Sequence, residues 1–169
     1  MRGACVGWLV RGKGLLLVAA VTGVLWVAWP TAQAGDERVQ DIVKVLKAPG
    51  GMNRRLALLE ELRQKDTTAA RQAVADLCDS GEDRLVIVAL ATLGRVDTSS
   101  AKSKIETVAG SGTRSDFVRS GALLALAHRE KRGGRSWSEA KSTLERPAAS
   151  NQKLLDVVSA ARAKLWKGE

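Results

Sequence analysis

The sequence predicts an all-α protein in which about four antiparallel helix pairs stack as an α-solenoid. Two observations carry that prediction. Apolar residues recur at helical spacing through residues 38–166, and no stretch alternates with period two long enough to be a strand. One apolar phrase also returns: Leu90-Ala91-Thr92-Leu93-Gly94-Arg95, Leu124-Ala125-Leu126-Ala127-His128-Arg129 and Val158-Ser159-Ala160-Ala161-Arg162 lie 34 residues apart. Leu59 and Leu62 open the series 31 residues before Leu90 and Leu93. A single helix pair has too little apolar surface to bury alone, so a face repeated at this interval is hidden against the next pair. Leu90, Leu124 and Val158 are therefore expected to share one core.

The first 34 of the 169 residues are a different material. Arg2, Arg11 and Lys13 form a positive head without acidic residues, Leu15 to Trp29 is an uncharged run, and Pro30 leads to Ala32-Gln33-Ala34. This is the layout of a secretory signal peptide cleaved after Ala34. The apolar run of about 15 residues falls short of the roughly 20 that cross a bilayer as a helix. The alternative is an uncleaved membrane anchor with the body outside the cytoplasm, Trp26 and Trp29 resting in the interfacial belt. Residues 35–169 then form one periplasmic or secreted domain, which meets a membrane only if the leader is retained.

The chain carries 27 Lys and Arg against 18 Asp and Glu, a net charge of +9. Three of those cations lie in the leader, so 24 face 18 in residues 35–169 and the net falls to +6. The aromatics of that domain are Phe117, Trp137 and Trp166, few for stacking on bases or sugars. Cys78 is its single cysteine, which excludes an intramolecular disulfide there.

The first helix is expected over Arg38 to Lys47, with Val39, Ile42, Val43 and Leu46 on one stripe and Pro49-Gly50-Gly51 as its stop. Asn53 to Lys65 presents Leu56, Leu59 and Leu62. Thr68 to Asp79 carries Ala70, Val74, Leu77 and Cys78, and Ser80-Gly81 turns the chain. Glu82 to Arg95 is apolar nearly all round, the mark of a central helix. Asp97-Thr98-Ser99-Ser100 offers caps to a helix that reaches Ala109, with Ala101, Ile105 and Val108 inward and Gly110-Ser111-Gly112 beyond its end. Ser115-Asp116 caps the next, which runs to about Arg129. Ser136-Trp137-Ser138-Glu139 is a capping box, and Pro147 is expected to end that helix. The last, Asn151 to Trp166, carries Leu154, Val157, Val158, Ala161 and Leu165. Connections of about two to seven residues make consecutive helices antiparallel neighbours.

Asp116-Phe117-Val118-Arg119-Ser120-Gly121-Ala122-Leu123-Leu124-Ala125-Leu126 resembles the second helix of a short bacterial HEAT-like repeat. That pattern has an acidic cap, an apolar-Arg pair, then small and large apolar residues before a terminal Leu. Glu82-Asp83 through Leu93-Gly94-Arg95 matches its beginning and end, with Leu85 standing where Arg119 aligns, and the first and last repeats match in apolar spacing alone. The resemblance implies a right-handed HEAT-like superhelix over residues 35–169. Tetratricopeptide repeats share the 34-residue period, but they place Trp, Gly and Tyr in the first helix and this chain has no Tyr. The Thr-Pro-Leu-His of ankyrin repeats is absent as well.

Chemistry is thin by comparison. One histidine and one cysteine cannot make a zinc site of the usual kind, so neither metal nor other cofactor is expected. His128, at a helix end with no nucleophile at helical spacing, reads as an exposed histidine, and Cys78, beside Leu77, reads as a buried inert thiol. Gly50-Gly51, Gly110-Ser111-Gly112 and Gly133-Gly134 follow helix ends and serve as C-caps rather than a phosphate cradle. Cations gather once, in His128-Arg129-Glu130-Lys131-Arg132-Gly133-Gly134-Arg135, ahead of Trp137. Such a run can grip phosphate, a polyanionic polymer or an acidic protein patch, or it is a solvated loop.

The sequence thus predicts a noncatalytic protein-interaction module of the cell envelope. A protein partner is held on the surface of successive second helices and the basic loop, with Arg119, Arg129, Lys131, Arg132, Arg135 and Trp137 as contacts. Two alternatives stand beside it. Nucleic-acid or other polyanion binding would use the basic face, as some HEAT-like proteins grip a DNA backbone, but the export signal opposes it. A bilin-lyase-like accessory role rests on the repeat type alone.

Overall fold

A computed structural model of the chain describes residues 37–168 except 49 and 66, so the leader expected over residues 1–34 lies outside the described residues. The chain divides into two compact units, residues 1–41 and 42–169. Helix α1 is described over residues 37–47. It is followed by α2 (Met52–Lys65), α3 (Thr68–Leu77), α4 (Asp83–Leu93), α5 (Ser99–Gly110), α6 (Asp116–Arg132), α7 (Trp137–Ala148) and α8 (Gln152–Leu165). The described residues contain no strand.

Local chemistry sets where these helices begin. The side chains of Thr67, Thr98, Ser115 and Asn151 accept from the amides of Ala70, Ala101, Val118 and Leu154, satisfying donors that the first turn leaves without a partner. Ser136 and Glu139 close the capping box on α7. The ends agree less well with expectation. Pro147 lies inside the last turn of α7, because a proline disturbs the turn before it while its own fixed φ lets the chain continue one residue more. Helix α6 runs three residues past Arg129, to Arg132, because Glu130 belongs to the buried face and keeps the chain helical.

Within residues 42–169 the helices form two rows. Helices α2, α4, α6 and α8 touch in that order, α3, α5 and α7 touch in theirs, and every helix from α2 onward touches its neighbours in the chain. The shared interior takes Leu59 and Leu62 from α2, Leu90 and Leu93 from α4, Leu123 and Leu126 from α6, and Leu154 from α8, together with Leu77, Ile105 and Leu144 of the other row. At about 25 cal/mol per Å² of apolar surface, this interior is the main stabilising term.

The repeat interval differs from the expected 34. The buried set Leu85, Val86, Ala89, Leu90, Thr92 and Leu93 of α4 returns 33 residues later as Val118, Arg119, Ala122, Leu123, Ala125 and Leu126 of α6. Val158 follows Leu123 by 35. Leu90, Leu123 and Val158 are 0%, 1% and 3% exposed, whereas Leu124, expected beside Leu90 and Val158, is 42% exposed. One residue turns a helix by about 100°, so the choice between adjacent leucines decides which one meets the core and which meets solvent.

Arginines close the helix ends. Arg55 and Arg119 are both buried, at positions of α2 and α6 that correspond to Val86 of α4. Arg55 Nη2 donates to Ala48 O at 2.8 Å, just past α1. Arg119 donates through Nε to Ala109 O at 3.0 Å and through Nη2 to Pro147 O at 3.1 Å, joining the ends of α5 and α7. Where Val86 cannot donate, Arg114 from the α5–α6 connection serves the end of α3, with bonds to Ser80 O at 2.7 Å and Cys78 O at 2.9 Å. Beyond the end of α4, Arg132 donates to Gly94 O at 2.6 Å, and Arg129 to Val96 O and, at 3.1 Å, to Thr98 O. These carbonyls lie at or just past the negative ends of helix dipoles, where a cation is doubly favoured.

The starts of the α2 row are laddered too. Arg55 pairs with Glu82, Ser115 Oγ donates to Asp83 Oδ2 at 2.6 Å, and Asn151 Nδ2 donates to Asp116 Oδ1 at 2.7 Å. With start joined to start and end joined to end, α4 and α6 lie side by side and point the same way.

Replacing Arg119 by Met keeps much of its bulk but leaves two carbonyls without donors. It is expected to cost about 2–4 kcal/mol in urea unfolding. Arg84→Ala, at an exposed position of α4, is expected to stay within about 0.5 kcal/mol.

Candidate functional site

Small residues set the distance between α4 and α6. A Cβ on Gly121 would stand 3.0 Å from Ile87 Cγ1, and one on Gly94 would stand 3.1 Å from Ala125 O. At both positions a Cβ would make its neighbour give way by a few tenths of an ångström, so glycine favours this close approach. Outside that contact an open groove of about 480 Å³ runs between the two helices, lined by Ile87, Ala91, Gly94, Arg95, Gly121, Leu124, Ala125, His128 and Arg132.

The groove has a direction. Phe117, Gly121, Leu124 and His128 follow one another at helical spacing along one face of α6. The face is apolar at its start and basic at its end, where His128 is joined by Arg95 and Arg132. Phe117 is 62% exposed, and Leu56, which holds the place in α2 that Ile87 holds in α4, is 44% exposed. Among the described residues Leu56, Phe117 and Leu124 are the exposed large hydrophobics, and all three belong to the α2–α4–α6–α8 row.

No carboxylate lines the groove. The nearest to Arg95 is Glu60, 3.9 Å away, and it is already held by Arg63, whose Nε donates to Oε2 at 2.8 Å. The Arg63 hydrogen bond brings the Glu60 pKa from 4.5 down to about 2, with Gln64 and Arg95 adding to the effect. Arg132 lies 3.6 Å from the exposed Asp97. Of the two groove arginines, Arg95, with 64% of its side chain exposed against 42% for Arg132, is thus the more available to a partner.

The residues expected as contacts are not gathered in one patch. Arg119 is buried at the ends of α5 and α7. Arg129 is half-buried and bonded beyond the end of α4, and Arg132 shares that region while also lining the groove. Lys131, Arg135 and Trp137 meet elsewhere, around the buried Trp166. Its ring centroid is 5.6 Å from that of Trp137, Lys131 Nζ is 5.7 Å from the Trp166 ring, and Trp166 Nε1 donates to Arg135 O at 2.9 Å. Arg162 stacks on Trp137 at 5.1 Å. Much of the basic run is helix, and its turn needs glycine at position 134, where φ is +75°.

The site residues that sequence reasoning missed are Ile87, Ala91, Arg95, Gly121 and Leu124. The available signal was Gly121 in a helix interior, where glycine costs about 1 kcal/mol against alanine and calls for a packing reason.

Other features offer less. A cleft of about 630 Å³ between α3 and α5 is lined mainly by polar side chains, several of them committed. Thr98 caps α5, Thr107 donates to Ser103 O at 2.9 Å, and Lys104 pairs with Asp79 at 2.7 Å. Among the described residues no group of three or more His, Cys, Asp and Glu could hold a metal ion, and no helix is long and apolar enough to cross a membrane. His128 is exposed on the groove rim. Cys78 is wholly buried, its Sγ 3.7 Å from Val74 O, and burial pushes the thiol pKa up to about 12, which removes the thiolate that a nucleophile needs.

The folded chain is expected to resist iodoacetamide at pH 8 and to react at Cys78 once unfolded in urea. Because the thiol stays protonated in the fold while the unfolded chain ionises near 9.0, this group's contribution to stability falls as pH rises from 9.0 toward about 12. Urea midpoints across that range, compared with those of Cys78→Ala, measure it. No family model, curated protein or solved structure matches the chain.

Proposed function

We propose that this chain is a noncatalytic protein-interaction module: a right-handed HEAT-like α-solenoid of about four helix pairs, exported to the periplasm or secreted, that holds a protein partner. The binding face is the outer side of the α2, α4, α6 and α8 row. The observation that carries this reading is the placement of Leu56, Phe117 and Leu124 on that row, with the α4/α6 groove among them. Contiguous exposed apolar surface rimmed by polar residues marks an interaction site. Leu56, Leu124 and Phe117 are 44%, 42% and 62% exposed, so each one a partner covers contributes about half of the ~1.5–3 kcal/mol of a full burial.

The solenoid reading is supported by the two rows and by the parallel course of α4 and α6, since stacked repeats place equivalent helices side by side in one direction. Export is supported by the composition of residues 1–34. The contact set narrows from the one read in the sequence. Arg132 stays at the groove, whereas Lys131, Arg135 and Trp137 meet around Trp166, and Arg119 and Arg129 spend their guanidinium donors on backbone carbonyls.

The test compares the full chain with a Leu56→Ser, Phe117→Ser, Leu124→Ser variant by cross-linking in the envelope of its host. A partner joined to the wild type and missing from the variant, at an unchanged unfolding midpoint, is the expected outcome. The same neighbours on both proteins, no neighbour on either, or turnover of a substrate by the purified chain would refute the proposal.

A further inference from the structure

Resting on that reading, we infer the chemistry of the partner: the α4/α6 groove takes an acidic amphipathic helix, with aliphatic side chains seated beside Ile87 and Leu124 and carboxylates reaching Arg95 and Arg132. Two features of the groove lead there.

Its middle is apolar and shallow. Ile87, Ala91, Leu124 and Ala125 offer hydrocarbon, and Gly94 and Gly121, where a Cβ would press on Ala125 and Ile87, let the two helices close up beneath it. An aliphatic side chain fits such a space, and a helix supplies several in line at positions i, i+3 or i+4, and i+7. Phe117, Leu124 and His128 span about three turns of α6, which matches a partner helix of similar length.

Its charge has one sign. Arg95, His128 and Arg132 stand at one end, and no Asp or Glu lines the groove. Glu60, 3.9 Å from Arg95, is bound more closely by Arg63, and Asp97, 3.6 Å from Arg132, is 80% exposed; neither lines the groove. An acidic group carried there completes the complementarity that a basic or neutral helix would leave unmet.

A nucleic acid fits poorly. Its phosphates would reach the same cations, but the hydrocarbon between them and the bulk of the groove would be left against sugar, and Phe117 alone offers a face for stacking.

The test uses the full chain and three dye-labelled, helix-forming synthetic peptides that share one leucine face and differ in their last turn, which carries glutamates, glutamines or lysines. Anisotropy titration is expected to rank them glutamate, glutamine, lysine, with at least about a tenfold difference between the extremes. Leu124→Ser and Ala91→Gln, both at exposed positions, should each weaken the glutamate peptide about tenfold. Arg95→Glu should reverse the ranking. Equal binding of all three peptides, lost on Leu124→Ser, would overturn the acidic partner while leaving protein binding at this groove intact. Binding that ignores Leu124→Ser and Ala91→Gln, or no binding at all, would count against groove and partner together. Self-association of the wild type that Leu124→Ser abolishes would assign the groove to a second copy, and displacement of the peptide by duplex DNA would assign it to a polyanion; either overturns the inference.

Discussion

The packing of one helix pair on the next depends on arginine forks set against backbone carbonyls. A helix leaves its last four carbonyls without partners, and in a molecule made of short helices those carbonyls recur every dozen residues or so. Arg114 spans Cys78 and Ser80, Arg119 spans Ala109 and Pro147, and Arg129 spans Val96 and Thr98. In each case one planar guanidinium reaches two acceptors at once, a geometry that a lysine ammonium does not reproduce. Bonds from a charged donor are worth about 1.5–3 kcal/mol each, more than neutral ones. The apolar interior is general and would accept several arrangements, whereas these forks reach their carbonyls in one.

The same demand explains which cations are left for a partner. Arginines that close helix ends are turned inward, so a basic sequence yields a surface less basic than its composition suggests. Arg95 escapes because Arg132 and Arg129 already serve the region past α4. Helix α6 carries both duties on opposite faces. Val118, Ala122, Leu123 and Leu126 are buried on one side, and Phe117, Leu124 and His128 stand outward on the other. Gly121 lies between them and lets α4 come close. The groove is therefore a consequence of how tightly the row packs.

Features that depend on a few neighbouring residues were readable from the sequence. The caps at Thr98 and Ser115 and the box at Ser136 and Glu139 are local, so residue type and spacing sufficed. The existence of the helices and the central place of α4 followed from apolar period and the punctuation between the stretches. The register did not, because the steps of 33 and 35 average to 34 and the Leu123-Leu124 doublet offers a leucine at either place. The site was the least legible. A run of cations is visible in sequence, but the direction of each guanidinium is set by carbonyls 10 to 38 residues away. The groove joins two helices whose contact at Ile87 and Gly121 no local pattern announces.

Glu130 ties the end of α6 to α5 and to the turn that follows it. It is a nearly fully buried carboxylate on the basic stretch, 2.9 Å from Lys102 Nζ and 2.8 Å from Arg135 Nε, the second contact being an ion pair without hydrogen-bond geometry. Its own carbonyl also accepts from Arg135 N at 3.2 Å. A buried charge with a partner on α5 and another on the α6–α7 turn would cost several kcal/mol if left without both cations. It therefore fixes the last turn of α6, where fraying would otherwise be easiest. His128 and Arg132 stand on that turn, so the basic end of the groove is held in place before any partner arrives, which lowers the ordering cost of binding.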